Sequence, residues 1–427
     1  MKSWPPSTGA WSLQTADLPV FSGTKPLKIT RVSTAALQGN FEWLLVRVET
    51  DADITGLGEA HWGAGVRASI HFLRKHLIGE DARDVDRLWR KLYKVTSGAP
   101  WSGAVLCAAK GIEIALLDAV GKLYGAPIYQ FLGGRYRDRV RIYADCHAGK
   151  GLDSAPSLKP TLEASGNWHA NYDPKADYRA AAYAERARSA LELGFSAIKF
   201  DLDVPTSLQG DPYNRVITQS HLDYMVELVR SVREEVGPHV DIAFGCHWSY
   251  NVGDAIRLAR ALEPFKLWWL EDPLPPENVA ALAELRRSTS TPICTGENLY
   301  LRDPFARLLA AGGADIIEPD LPRSAGLLEF KRICDLADYY YVPVAPHNVG
   351  SPVATLAAVH MGAAVPNFLA VEYHAIDVEW WSSIVRHDAA RIEDGYLPVP
   401  TGPGLGIELD EDVVMEHLVP GTGFFSD

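Results

Sequence analysis

The chain has 427 residues, 47% hydrophobic and 22% charged, enough for one large domain and a smaller one, and no apolar run is long enough to span a bilayer. Its formal net charge of -13 excludes a general affinity for nucleic acid, which needs clustered Lys and Arg. Cys107, Cys146, Cys246, Cys294 and Cys334 are scattered and never form a CxxC pair, which argues for a reducing, cytoplasmic setting and against a disulfide framework or structural zinc.

Residues 1–26 are rich in Pro, Ser, Thr and Gly and lack the basic start and apolar core of a signal peptide. They read as a tail lying on the surface or on a neighbouring subunit of a homo-oligomer. An α+β capping domain is expected over 27–138. Strand-like runs Ile29–Leu37, Trp43–Glu49 and Gly56–Ala60 are separated by Gln38-Gly39-Asn40 and Asp51-Ala52-Asp53, which is hairpin chemistry. Helical stretches Val66–Leu77, Val85–Tyr93 and Ala104–Tyr124 follow, the last ending at Gly125 as helix C-termini often do.

Over 139–377 short apolar strands alternate with amphipathic helices. The strands are Val140–Ala144, Ser196–Phe200, Val240–Phe244, Leu267–Leu270, Pro292–Thr295, Asp315–Glu318, Tyr341–Ala345 and Phe368–Val371. Eight such units predict a closed (β/α)8 TIM-like barrel. A doubly wound open sheet is the alternative, but no GxGxxG follows any strand. The polar segment Gly149–Pro174 is expected as a loop over the barrel mouth. Residues 378–427 hold no further unit and are expected to pack back on the capping domain.

Catalytic groups of such a barrel lie where strands end. The second strand ends Lys199-Phe200-Asp201, the third Gly245-Cys246-His247, the fourth Glu271-Asp272-Pro273 and the fifth Gly296-Glu297-Asn298. The sixth, seventh and eighth end Glu318-Pro319-Asp320, Pro346-His347-Asn348 and Glu372-Tyr373-His374. So many ionisable groups are costly in a fold unless they serve a site. Glu271 and Glu297 end consecutive strands and suit a hard dication, Mg2+ above others. Asp320 and His347 read as a carboxylate orienting a general base. Lys199 is a second candidate base, and His247 a candidate acid, base or binding group.

These residues resemble the enolase superfamily, mandelate racemase subgroup, over nearly the whole chain. The carrying motifs are Leu116-Leu117-Asp118-Ala119 with Leu132-Gly133-Gly134, Trp269-Leu270-Glu271-Asp272-Pro273, Thr295-Gly296-Glu297, Pro319-Asp320 with Gly326, and Ala345-Pro346-His347-Asn348. The resemblance implies Mg2+ at Glu271 and Glu297, an Asp320–His347 dyad, a basic Lys199 and a role for Glu372 near the substrate carboxylate. It also implies closure of the site by capping-domain loops around His61–Val66. Within the subgroup the chain looks most like acid-sugar dehydratases, whose third strand often ends Asp-x-His. Here Gly245 stands where that metal-binding Asp is expected, and the interval from Gly245 to Glu271 equals that from Glu271 to Glu297, so no shift of alignment restores it. Asp241 lies at the other end of the same strand, roughly 13 Å away. The second strand reads Lys-x-Asp where many racemases have Lys-x-Lys.

The expected chemistry is abstraction of the proton α to a sugar-acid carboxylate and loss of a β-hydroxyl as water, with Lys199 or His347 as base and His247 or His347 as acid. Asp201, Glu372 and His61 are expected to bind substrate. Racemisation or cycloisomerisation in the same site is the second reading, and a weakly active or inactive sugar-acid-binding relative the third. Gly245 predicts Mg2+ held weakly or absent as isolated, and a Gly245→Asp substitution that strengthens it.

Overall fold

The computed structural model describes residues 25–96, 102–147, 178–204, 206–211, 213–386 and 390–426. Most of the expected N-terminal tail and the whole expected loop Gly149–Pro174 lie outside the described residues.

The capping domain opens with β1 (Ile29–Gln38), β2 (Glu42–Thr50) and β3 (Thr55–Ala60), paired antiparallel in that order. Helices α1 (Val66–Arg74), α2 (Val85–Val95), α3 (Ala104–Tyr124) and α4 (Ile128–Phe131) follow. The Ala- and Leu-rich α3 is buried along most of its length and lies directly on β3. The approach is so close that a Cβ on Gly56 would fall 1.9 Å from the Ala115 carbonyl oxygen. Only glycine lets the helix settle there.

The barrel is built from β4 (Arg139–Asp145), α5 (Ala180–Glu192), β5 (Ala197–Asp201), α6 (Gln219–Val236), β6 (Asp241–Gly245), α7 (Val252–Leu262) and β7 (Trp269–Glu271). It continues with α8 (Val279–Arg287), β8 (Ile293–Thr295), α9 (Arg302–Ala311), β9 (Ile316–Ile317), α10 (Gly326–Tyr339), α11 (Pro352–Ala364) and β10 (Val371–Tyr373). Strands β4 to β9 pair in parallel, each with the next. The expected seventh strand is reduced to Val344, which bridges Ile317 on one side and Phe368 on the other. β10 then pairs with β4 and closes the ring. Thr218, Asn251, Asn278 and Ser351 cap α6, α7, α8 and α11, each side chain accepting a backbone N–H of the first turn.

One residue from each of the eight strand positions fills the barrel floor: Tyr143, Ala197, Ala243, Trp269, Cys294, Ile316, Ala345 and Ala370. Tyr143 and Trp269 meet edge to face with centroids 5.3 Å apart, and the small residues leave them room. The floor is therefore solid, and polar groups are admitted only above it.

After β10 the chain returns to the capping domain. Gln38 donates its N–H to the His417 carbonyl, and Val419 donates to Ala36. Asp118 on α3 accepts the N–H groups of Leu57 and Leu405, both at 2.7 Å, and so ties β3 to this returning segment. Among the described residues no helix is long and apolar enough to cross a membrane.

Glu59 on β3 joins capping domain to barrel. It accepts the Ser351 N–H, the Ser351 hydroxyl and the Ala354 N–H at the start of α11. Removing it orphans these buried donors, so Glu59→Ala is expected to lower unfolding free energy by roughly 3 kcal/mol in a urea titration. Burial raises the Glu59 pKa to about 7 against those hydrogen bonds. A raised carboxyl contributes stability that is full below its ordinary value and is lost as pH rises through about 7. The Glu59→Ala deficit is therefore expected to be larger in mildly acidic buffer than above neutrality.

Candidate active site

A cavity of about 460 Å³ lies between the capping domain and the C-terminal ends of the barrel strands. Phe41, His61 and Trp62 close it from the cap side. Phe41 and Trp62 stack at 5.0 Å, giving the pocket an apolar lid over a charged floor. The barrel contributes Asp145, Lys199, Asp201, Asp203, His247, Glu297, Arg323, His347, Glu372 and His374.

Lys199, in the middle of β5, is almost fully buried and meets three carboxylates. Its Nζ lies 2.6 Å from Glu271 Oε1, 2.5 Å from Glu372 Oε1 and 3.3 Å from Asp145 Oδ2. Burial opposes its charge, but Glu271, Glu372 and Asp145 outweigh that and hold its pKa well above the ordinary value. A lysine so held keeps its proton and offers no lone pair. Glu271 Oε2 accepts the indole N–H of the floor residue Trp269 at 2.9 Å.

Two histidines are each backed by an aspartate through Nδ1. His347 meets Asp320 Oδ2 at 2.7 Å, and its Nε2 lies 3.5 Å from Glu297. Burial opposes protonation of His347, yet Glu297, Glu372 and Asp320 raise its pKa to about 9. His247 meets Asp203 Oδ1 at 2.9 Å, and its Nε2 lies 4.0 Å from Asp201. Burial opposes its charge too, but Asp203 and Asp201 hold its pKa well above the ordinary range. His247 and Trp248 both take left-handed backbone angles, φ 38 and φ 60, which turn the chain sharply at the end of β6. His61 reaches down from the cap to within 3.6 Å of Asp320, and burial depresses its pKa to about 3, leaving it neutral.

His61, Lys199, Asp201, His247, Glu297, His347 and Glu372 line this cavity, and Glu271 and Asp320 meet two of them, Lys199 and His347. Asp320 and His347 meet directly. Lys199 meets Glu271 and Glu372. Glu297 meets His347 and, at 3.4 Å, Arg323. Four residues escaped the sequence reading. Asp145 and His147 end the first strand as Asp-x-His, the alternation sought only on the third, and the His147 ring packs 3.9 Å from that of His374. Asp203 lies two residues past Asp201, in the same alternation. Arg323 carries no motif. It is brought in by the turn Leu321–Ala325, which Asp320 caps by accepting the Arg323 N–H at 2.7 Å.

Glu271 and Glu297 are buried oxygen donors at consecutive strand ends, a donor type that fits a hard dication. Three sets of side chains among the described residues bring possible ligand atoms within 4.8 Å of one another: Asp201 with Asp203 and His247, Asp145 with His147 and His374, and Glu271 with Cys294 and Glu318. In the structure Glu271 is neutralised by Lys199 and Glu297 by Arg323.

Comparison with known proteins follows this geometry. Residues 182–413 match the family described as enolase C-terminal domain-like. Residues 18–133 match the mandelate racemase / muconate lactonizing enzyme N-terminal domain. A D-xylonate dehydratase of Haloferax volcanii is 44% identical over 406 residues, covering 95% of this chain and 92% of its own. A D-galactonate dehydratase of Xanthomonas oryzae pv. oryzae is 30% identical over 398 residues, covering 91% and 94%. Among solved structures, a mandelate racemase/muconate lactonizing enzyme-like protein of Rubrobacter xylanophilus superposes with TM-score 0.86 at 43% identity, covering 94% of this chain and 100% of its own.

The Lys199 cluster generates a stability prediction. Lys199→Met leaves Glu271, Glu372 and Asp145 buried without their shared cation. Breaking such a cluster from one side is expected to cost roughly 3–5 kcal/mol by chemical denaturation, against near zero for an exposed lysine such as Lys75.

Proposed function

This chain belongs to the mandelate racemase / muconate lactonizing enzyme group of the enolase superfamily, and from that premise we propose that it is an Mg2+-dependent dehydratase of aldonic acids. The observation that carries the reading is the pair of Asp-backed histidines, His347–Asp320 and His247–Asp203, directed into one cavity over Glu271 and Glu297. Dehydration of an aldonate needs one group to take the C2 proton and another to protonate the departing C3 hydroxyl.

His347 takes the C2 proton. Lys199 is less suited to that role, because Glu372 and Asp145 would still favour its charged form with a cation drawing on Glu271. His247 gives a proton to the C3 hydroxyl, because Asp203 and Asp201 keep its imidazole charged. The C2–H bond breaks and its electrons form the C2–C3 double bond. The C3–O bond breaks and water leaves, and the resulting enol takes a proton at C3 and releases the proton of its C2 hydroxyl to become the 2-keto-3-deoxy acid. A bound Mg2+ held by Glu271 and Glu297 would stabilise the charge that grows on the substrate carboxylate oxygens and offset the Glu297 charge felt by His347. His61 and Glu372 face the same space and contact substrate from opposite sides.

Aldonates are favoured over diacids by the lining. Asp145, Asp201, Asp203, Glu297 and Glu372 would repel a second carboxylate, and the Arg323 guanidinium is already committed to Glu297. The named relatives, D-xylonate and D-galactonate dehydratases, support the same class.

A screen of aldonic and aldaric acids for 2-keto acid, with and without added Mg2+, tests the reading. Turnover of pentonates or hexonates is expected, without turnover of aldarates. Isomerised acid without 2-keto product would move the assignment to a racemase. His347→Asn and His247→Asn are each expected to lower kcat by about 100- to 10,000-fold. Asp203→Asn, which leaves the imidazole in place but removes the group that holds it, is expected to fall between those variants and the unaltered protein.

A further inference from the structure

The dehydratase reading, on which this inference rests, calls for a third acidic group at the cation, and the third barrel strand ends in Gly245. We propose that Asp201 on the neighbouring strand supplies that group, so that the cation is held from β5, β7 and β8 and β6 contributes none. Asp201 is thereby moved from a substrate-binding residue to a metal ligand.

The register of the sheet makes this possible. Asp201 pairs with Gly245, and Gly245 pairs with Glu271, so the three residues form one row across three adjacent parallel strands. Residues paired in a parallel sheet direct their side chains to the same face, and neighbouring strands are roughly 4.8 Å apart. Asp201 is therefore one strand spacing from the place where a third-strand carboxylate would start.

Its carboxylate has crossed that spacing. A Cβ built on Gly245 would meet Asp201 Oδ1 first, at 3.0 Å, before His247 Cε1 and the Phe200 carbonyl oxygen at 3.8 Å. Gly245 is not among the residues with positive φ, so its backbone does not demand glycine. A side chain at 245 would press on the neighbouring Asp201 carboxylate, which would have to give way by a few tenths of an ångström. The Asp201 backbone is fixed by the Tyr183 hydroxyl, which donates to its carbonyl at 2.9 Å.

Asp203 is the other acid of that loop, but its two oxygens are engaged in orienting His247 and in accepting the Ser249 hydroxyl at 3.0 Å. Asp201 stands in this structure with Asp203 and His247, and with its carboxylate turned to the cation it would join Glu271 and Glu297 in a three-carboxylate set suited to Mg2+. The two departures noted in the sequence, Lys-x-Asp on the second strand and glycine on the third, then become one change. A lysine at 201 would bring a cation to the metal, and an acid at 245 would crowd Asp201.

This reverses the expectation drawn from Gly245 alone. The test is calorimetric titration of the metal-stripped full chain with Mn2+ and with Mg2+, in the absence of substrate. Asp201→Asn is expected to weaken binding by at least about a hundredfold, beyond the roughly 10- to 100-fold typical of groups that only touch a ligand. Gly245→Asp alone is expected to bind no tighter than the unaltered protein. Combining Asp201→Gly with Gly245→Asp returns a single carboxylate to the row and is expected to regain most of the lost affinity. Circular dichroism and melting curves check folding, and Asp201→Ser replaces the Asn variant should that fail to fold. Unchanged affinity in a folded Asp201 variant overturns the ligand assignment while leaving the dehydratase reading standing, and so does tighter binding on Gly245→Asp alone. An unaltered protein that binds neither ion overturns both this assignment and the metal dependence proposed above.

Discussion

The ammonium of Lys199 and the three carboxylates around it are the interaction on which the rest of the barrel mouth depends. Asp145 and Glu271 end the first and fourth strands, and Lys199 and Glu372 lie within the second and eighth. First and eighth strands are the two sides of the closing seam, since β10 pairs with β4. The cluster therefore assembles only when the ring has closed. Buried carboxylates left without a cation cost several kcal/mol each, so the ionic cluster penalises every arrangement in which the barrel stays open. The floor beneath it reinforces the constraint, since Trp269 both fills the barrel and donates its indole N–H to Glu271.

Above this cluster the site repeats one device on two sides. In each case an aspartate fixes a histidine through Nδ1 and leaves Nε2 toward the cavity, which sets tautomer and direction together. The supports differ. Asp320 is held by the turn it caps, and His61 of the capping domain approaches it to 3.6 Å. Asp203 and His247 both come from barrel loops, and the left-handed turn at His247 aims the ring independently of the cap. Away from the chemistry, Glu59 joins the cap to the start of α11, and Asp118 joins β3 to the returning C-terminal segment.

Most of the architecture was legible because each barrel strand is a short apolar run bounded by a polar strand end, and four barrel helices open on a side-chain cap. The strand ends at Glu271, Glu297, Asp320 and His347 could be read one at a time. The seventh strand was legible as an apolar run, although only Val344 makes ladder contacts. What escaped were groups whose position depends on partners distant in sequence. Arg323 is placed by a turn that Asp320 caps. Asp203 acquires its meaning from His247, 44 residues later. Asp145 was overlooked because the first strand was read as stopping one residue short of it.

Gly245 shows why strand-by-strand reading fails where a site is assembled by a sheet. The sequence presents 201 and 245 as unrelated positions, one with an unexpected acid and one with a missing acid. The sheet makes them immediate neighbours in one row, with a single side-chain space between them. A cation responds to the positions of oxygen atoms and not to the strands that carry them. A carboxylate entering that space from the left-hand or the right-hand strand therefore presents a similar charge to the same region, provided the other strand gives way. Glycine is the residue that gives way completely, having no Cβ to meet the incoming oxygen. The pair is thus under joint constraint: an acid at both positions crowds two negative charges together, and an acid at neither leaves the dication with two carboxylates. On the proposal above, a single acid in this row meets both space and charge, and this chain carries that acid on β5.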